Sequence, residues 1–154
     1  MRALVQRVTE ASVCETDSGE ELARIGPGLL VLLAVSDDDT EAQAAWIAGK
    51  ISRLRIFSDE DDKMNDSVKD VAGSILVVSQ FTLYGSVRRG NRPSFIRSGA
   101  PETAEPLYEK VVDYLRADHI PVQTGRFAAD MQVRLTNDGP VTIWIDTEEE
   151  RVRG

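Results

Sequence analysis

One cysteine and one histidine in 154 residues leave little material for metal or nucleophilic chemistry. Cys14 alone forms no internal disulfide and anchors no cysteine-based metal site, so it reads as a small strand residue. His119 stands at the expected end of a helix, where an imidazole suits the helix dipole. With the only histidine taken up there, neither a Ser-His-Asp nor a Cys-His site is expected, and His and Cys ligands at metal-site spacing are absent. A glycine-rich loop of the P-loop or dinucleotide type is also missing. Two acidic runs could pass for cation sites. Asp37-Asp38-Asp39, with Thr40 after them, offer N-cap residues at a helix start, and Asp59-Glu60-Asp61-Asp62 lacks the alternating ligands of a calcium loop. No metal and no cofactor are expected.

No apolar run approaches the roughly 20 residues needed to cross a bilayer. The opening Met1-Arg2-Ala3-Leu4-Val5-Gln6-Arg7 is interrupted by Gln6 and Arg7 and does not read as a signal peptide. A cytoplasmic protein with no membrane partner is expected. Positive charge is scarce: 18 Lys and Arg stand against 26 Asp and Glu, a net charge of -8. As a sum, this argues against nucleic-acid binding, and no DNA partner is expected. The length suits one domain, burying roughly 70% of its unfolded surface.

What is present is a strand-rich pattern with two helices. Residues 2–14 alternate roughly and predict a strand, with Thr16-Asp17-Ser18-Gly19 turning into a returning arm at Glu21–Ile25. Leu29–Val35 is continuously apolar, as in a strand buried on both faces. Ala44, Ile47, Ile51 and Leu54 fall on one face of a helix over about 40–55. The polar stretch 58–70 reads as a surface loop, and Ser74–Leu83 as a second buried strand. A long loop, 84–100, leads to a helix opened by Pro101, with a buried stripe of Ala104, Leu107, Tyr108, Val111, Val112 and Leu115. Pro121 ends that region. Two closing strands are predicted near 130–136 and 140–146, joined at Asn137-Asp138-Gly139-Pro140. The strands do not alternate strictly with helices. The fold class expected is α+β, a compact, barrel-like, mostly antiparallel sheet with two main helices. The domain covers 1–147, and 148–154 is a charged tail, expected to fray.

Three segments carry possible chemistry. In Ser79-Gln80-Phe81-Thr82-Leu83-Tyr84-Gly85 an apolar strand turns polar at its C-terminal end. It either lines a site or simply surfaces into a loop. Asn137-Asp138-Gly139-Pro140-Val141-Thr142 is a hairpin or turn signal, although proline at the head of an apolar strand is restricted in place. Between them lie Arg88, Arg89, Arg92 and Arg97 with no acid from Gly85 to Ala100. They form either a phosphate-binding island flanked by Tyr84 and Phe95 or a neutralising patch on an acidic surface.

Together these segments resemble the D-aminoacyl-tRNA deacylase family. The matching pieces are Val5-Gln6-Arg7-Val8 with Ala11-Ser12-Val13, Ser79-Gln80-Phe81-Thr82-Leu83, Gly90-Asn91-Arg92-Pro93-Ser94-Phe95, and Asn137-Asp138-Gly139-Pro140-Val141-Thr142. They span essentially the whole chain in register. The resemblance implies a homodimer with sites at the interface, hydrolysing the ester of D-aminoacyl-tRNA and of glycyl-tRNA. It implies a catalytic segment at Ser79, Gln80, Phe81 and Thr82, with the oxyanion held by backbone N–H groups near Phe81 and Thr82. It implies a cis Gly139-Pro140 pair that enters the partner's pocket and rejects L side chains, with Arg7 and Asn137 in the same selection site. Arg88, Arg89 and Arg92 would meet tRNA. Thr82 is the nucleophile candidate by type, but no neighbouring base is evident, so a positioning role is favoured. A non-catalytic dimeric RNA-binding module and a hydrolase of small D-amino acid esters or amides are the competing readings.

Overall fold

The computed structural model describes residues 1–154. The elements run β1 (Arg2–Glu15), β2 (Glu21–Ile25), β3 (Gly28–Ala34), α1 (Glu41–Arg53), β4 (Phe57–Ser58), β5 (Met64–Asp66), β6 (Ser74–Ser79), α2 (Pro101–Ala117), β7 (Val122–Thr124) and β8 (Met131–Asp146). A short 3-10 turn, Phe81–Tyr84, follows β6. No helix is long and apolar enough to cross a membrane.

β1 is the hub. One of its edges pairs first with β3 and then with β2, and the other pairs with β8, all antiparallel. The sheet continues from β3 through β6 to β7, and these two ladders are parallel. The parallel half follows from connectivity: α1 carries the chain from β3 to β6, and α2 from β6 to β7, and such crossovers bring strands back in the same direction. The sheet curls until β2 meets β7, where the Arg24 N–H donates to Gln123 Oε1 at 3.0 Å. The α+β, barrel-like expectation therefore holds, with a βαβαβ segment inside it.

The apolar run at β3 is continuous because both faces are covered. Leu29, Val31 and Leu33 join Ala44, Ile47 and Ile51 of α1 and Val111 and Leu115 of α2 in one core. Leu30 faces the other way, into a second cluster with Val8, Val13, Leu76 and Val78. Leu107, expected in the buried stripe of α2, is only partly buried at the rim of the first core.

Several local expectations need correction. Of the N-cap residues offered by Asp37-Asp38-Asp39-Thr40, Thr40 is the one used, boxed with Gln43, and the aspartates do not cap α1. Those brace other segments. Asp39 accepts from the Met1 ammonium at 2.6 Å and from Ser36 N at 2.8 Å, and Asp37 accepts from Ala100 N at 2.9 Å at the head of α2. The stretch 58–70 contains the β4–β5 hairpin. There the Asp59 carboxylate takes the N–H groups of Asp61 and Lys63 at 2.9 and 3.0 Å. The Asn65 side-chain amide leads the contacts that hold it below the usual carboxylate range. The second buried strand stops at Ser79 instead of Leu83, because the chain winds into the 3-10 turn once Gln80 N has bonded Leu33 O at 2.8 Å. Pro121 closes the α2 region as expected, but a short strand not expected from sequence, β7, starts at the next residue. His119 sits one residue past the C-cap of α2 with φ of 62°. Its N–H and that of Ile120 close the last turn on Arg116 O and Leu115 O, the place glycine usually takes. The tail folds back instead of fraying. Val152 N bonds Thr147 O at 2.9 Å, and Val152 O accepts from Gln43 Nε2 at 3.1 Å.

The largest correction concerns the closing strands. β8 is one strand of 16 residues, antiparallel to β1 on both sides of Gly139-Pro140. Asn137 stands opposite Val8 and Thr142 opposite Gln6. Five steps along β8 thus match two along β1, so residues 138–141 leave the ladder as an excursion. The Asn-Asp-Gly-Pro signal marks a turn that leaves the strand and rejoins it in the same direction, not a hairpin.

Candidate active site

A cavity of about 530 Å³ opens where the C-terminal end of β6, the head of α2 and the approach to β8 converge. Ser79, Gln80, Phe81 and Ser98 supply one wall, and Pro101 and Phe127 are part of the rest. The end of β6 is polar because it leaves the sheet there. Val78 is still core, whereas Gln80 is half-buried and Thr82 exposed.

The 3-10 turn sets the geometry at this wall. Leu83 N bonds Gln80 O at 3.2 Å and Gly85 N bonds Thr82 O at 2.9 Å, while Ser98 Oγ donates to Phe81 O at 3.1 Å. The N–H groups of Phe81 and Thr82 have no acceptor in the chain. Two adjacent backbone donors are thus free, one on Phe81, which lines the cavity, and one on Thr82, the residue just past its lining. The Thr82 hydroxyl oxygen is held by the Gln80 side-chain amide. An amide takes no proton from a hydroxyl at neutral pH, so this contact orients Thr82 without activating it. The Phe81 ring, 56% exposed, meets Phe95 edge-on with centroids 5.1 Å apart.

Beyond the turn, Ser86 and Ser94 bond each other's backbone at 2.8 and 2.9 Å, which pinches off a loop tip carrying Arg88, Arg89 and Arg92. All three are exposed and none forms an ion pair. Of the arginine island only Arg97 neutralises an acid, Glu148.

A second cluster gathers at the β8 excursion. The Gly139-Pro140 bond is cis, and Gly139 has φ of 118°. Asn137 bridges the neck, its Nδ2 donating to Arg7 O at 3.0 Å and Val141 O at 3.1 Å. Its Oδ1 accepts from Gln6 Nε2 at 3.2 Å and Thr142 Oγ1 at 3.3 Å, so the carboxamide is fully used. Arg7 reaches back, with Nε donating to Asp138 O at 3.2 Å and Nη1 to Ile56 O at 2.8 Å. Gly139 and Pro140 remain exposed at the tip.

The structure thus brings Ser79, Gln80, Phe81 and Thr82 together, and separately Arg7, Asn137, Gly139 and Pro140. None of the second four lines the cavity. The segment from Phe127 to Met131, which forms the far wall, is not expected there from the sequence. Its one signal was Phe127, an aromatic stranded in a polar loop.

A sequence model of the family described as D-Tyr-tRNA(Tyr) deacylase matches residues 4–146. The D-aminoacyl-tRNA deacylase of Symbiobacterium thermophilum is 55% identical over 149 residues, 97% of each chain. That of Chlorobaculum parvum is 53% identical over 151 residues, 97% of this chain and all of the relative. Among solved structures, a c-Myc DNA unwinding element binding protein superposes with a TM-score of 0.89 at 44% identity, covering 95% of this chain and 98% of its own. A probable eukaryotic D-amino acid tRNA deacylase shares the fold, with a TM-score of 0.79 at 19% identity over 94% of this chain and 97% of its own. By the length and closeness of these matches, the chain belongs to the D-Tyr-tRNA(Tyr) deacylase family.

Proposed function

We propose that this chain hydrolyses the ester between a D-amino acid and the terminal adenosine of tRNA, releasing both, and that it treats glycyl-tRNA likewise. The observation that carries this reading is the pair of unpaired N–H groups, Phe81 and Thr82, at the edge of a cavity beside an unactivated Thr82 hydroxyl. An aminoacyl ester is already reactive, so it needs placement and a stabilised oxyanion more than a strong base. Donors held where negative charge develops supply that. Water attacks, assisted by the neighbouring ribose hydroxyl of the substrate, and the tetrahedral oxyanion is held by the two N–H groups.

Chirality is selected by backbone. The Gly139-Pro140 tip, fixed through Asn137 and Arg7, enters the pocket of a second copy of this chain. There its carbonyls hold the substrate amino group and occupy the space an L side chain needs. Its exposure, and its absence from the cavity wall of its own chain, support completion in trans. A clash with a fixed backbone rejects more strongly than a missing contact does. It also asks nothing of the D side chain, and glycine, lacking one, passes. Arg88, Arg89 and Arg92 bind tRNA phosphates, and the protein works in the cytoplasm as a homodimer.

The test is release of D-tyrosine from D-Tyr-tRNA, run beside free D-tyrosine methyl ester. Fast release from tRNA with little turnover of the free ester supports the proposal. Binding of tRNA without release would leave an RNA-binding module. Equal rates on both substrates would make it a small-ester hydrolase.

A further inference from the structure

Arg2, the first residue of β1, reaches the 3-10 turn that carries the two free N–H groups. Its Nη1 donates to Leu83 O at 3.0 Å, and its Cζ lies 4.4 Å from the centre of the Tyr84 ring. Its Nε donates to Asp146 Oδ2 at 2.8 Å. Asp146 is 2% exposed, and its other oxygen accepts from Glu148 N at 2.9 Å, so the carboxylate is fixed from both sides. Tyr84 is also 2% exposed, with the Arg97 guanidinium 5.6 Å from its ring centre. Trp144 closes the cluster 5.6 Å from Arg2.

A four-residue 3-10 turn has poor hydrogen-bond geometry and little stiffness of its own. Here its last two residues are gripped by a group anchored in the sheet. Only a planar fork reaches a carbonyl and a carboxylate at once while stacking on a ring; an ammonium has no such geometry. Arg2 does not line the cavity, so it has no direct part in binding there.

We propose that Arg2 is a positioning residue: by gripping Leu83 and Tyr84 it fixes where the Phe81 and Thr82 N–H groups point, and so governs kcat without touching substrate. The inference rests on the proposed role of that turn.

The experiment compares Arg2→Met and Arg2→Lys with the wild type in three measurements. These are steady-state kinetics on D-Tyr-tRNA at 25 °C, thermal unfolding, and amide resonances from ¹⁵N-labelled protein. A displaced oxyanion site lowers kcat of Arg2→Met by about tenfold to a hundredfold and leaves KM within about twofold. Arg2→Lys recovers part of that loss, since it can hold either Leu83 O or Asp146 but not both. The Phe81 and Thr82 amide resonances shift or broaden while those of Leu30 and Val31 stay put. A merely structural role would lower the unfolding temperature and leave kcat of the folded protein alone. Wild-type kcat in folded Arg2→Met, or a loss carried by KM only, overturns the proposal. If Arg2→Met does not fold, the same criteria apply to Arg2→Lys. If the wild type does not act on D-Tyr-tRNA, the proposed function fails on its own. Unchanged Phe81 and Thr82 amides in the variants would then overturn the positioning claim independently, and shifted ones would sustain it.

Discussion

Asn137 and Arg7 hold each other across the β1–β8 ladder: the Asn137 amide donates to Arg7 O at 3.0 Å, and Arg7 Nε donates to Asp138 O at 3.2 Å. This reciprocal clamp lets a strand open for residues 138–141 and resume in register. Without it, the carbonyls at the neck would lose their partners and the tip its fixed direction.

Asn137→Ala should therefore fold, because the excursion lies on an exposed edge, but with stability lowered by about 1–3 kcal/mol for the carbonyls left unpaired. Deacylation of D-Tyr-tRNA should fall far more than that loss of stability explains. Urea unfolding beside kinetics checks this. Full activity in a destabilised Asn137→Ala protein would mean that the tip needs no clamp.

Gly139→Ala tests the tip itself. A Cβ there would stand 2.7 Å from Val141 Cγ2, 2.8 Å from Val141 N and 2.9 Å from Arg7 Nη2, at a φ of 118° that L residues rarely adopt. The tip must shift, and with it the selecting backbone. The expected result is at least about tenfold lower kcat/KM on D-Tyr-tRNA, in line with the cost of an ångström-scale misplacement. No compensating gain on L-Tyr-tRNA should appear. Circular dichroism confirms folding. Unchanged rates on both substrates would contradict the assignment of chirality to this backbone.

Thr82→Ala should retain activity within about tenfold of wild type, far less than the several orders of magnitude lost with a covalent nucleophile. The Thr82 hydroxyl contacts the Gln80 amide, which cannot serve as a base. Single-turnover deacylation measures this. A loss of several orders of magnitude in folded protein would restore Thr82 as the attacking group.

Arg88 and Arg89 stand exposed and free of ion pairs in a chain of net charge -8. Replacing both by Ala should weaken tRNA binding and reduce the slope of log affinity against log salt by roughly 1.5, for two lost phosphate contacts. Filter binding between low and moderate salt reads the slope. An unchanged slope would make the island structural.

The sequence made the periodic parts of this fold legible, because periodicity is a local record of burial. β3 reads as buried on both faces, and α1 and α2 show their stripes. The excursion at Asn137 was misread because a turn signal specifies a local bend but not whether the chain returns or goes on. Only pairing with Val8 and Gln6, some 130 residues away, decides that. Ser79 to Thr82 were legible as a candidate site through polar residues at the end of an apolar strand. The Phe127–Met131 wall and Arg2 were not, since their placement arises from contacts that no local pattern encodes.

If the Gly139-Pro140 backbone selects for chirality, release from tRNA is stereospecific. The most direct test is to charge one tRNA separately with D-tyrosine, L-tyrosine and glycine, and to follow deacylation of all three by the same enzyme preparation. Backbone selection gives rapid release of D-tyrosine and glycine, with L-Tyr-tRNA decaying no faster than in buffer. Release of L-tyrosine at a rate comparable to D-tyrosine would contradict it.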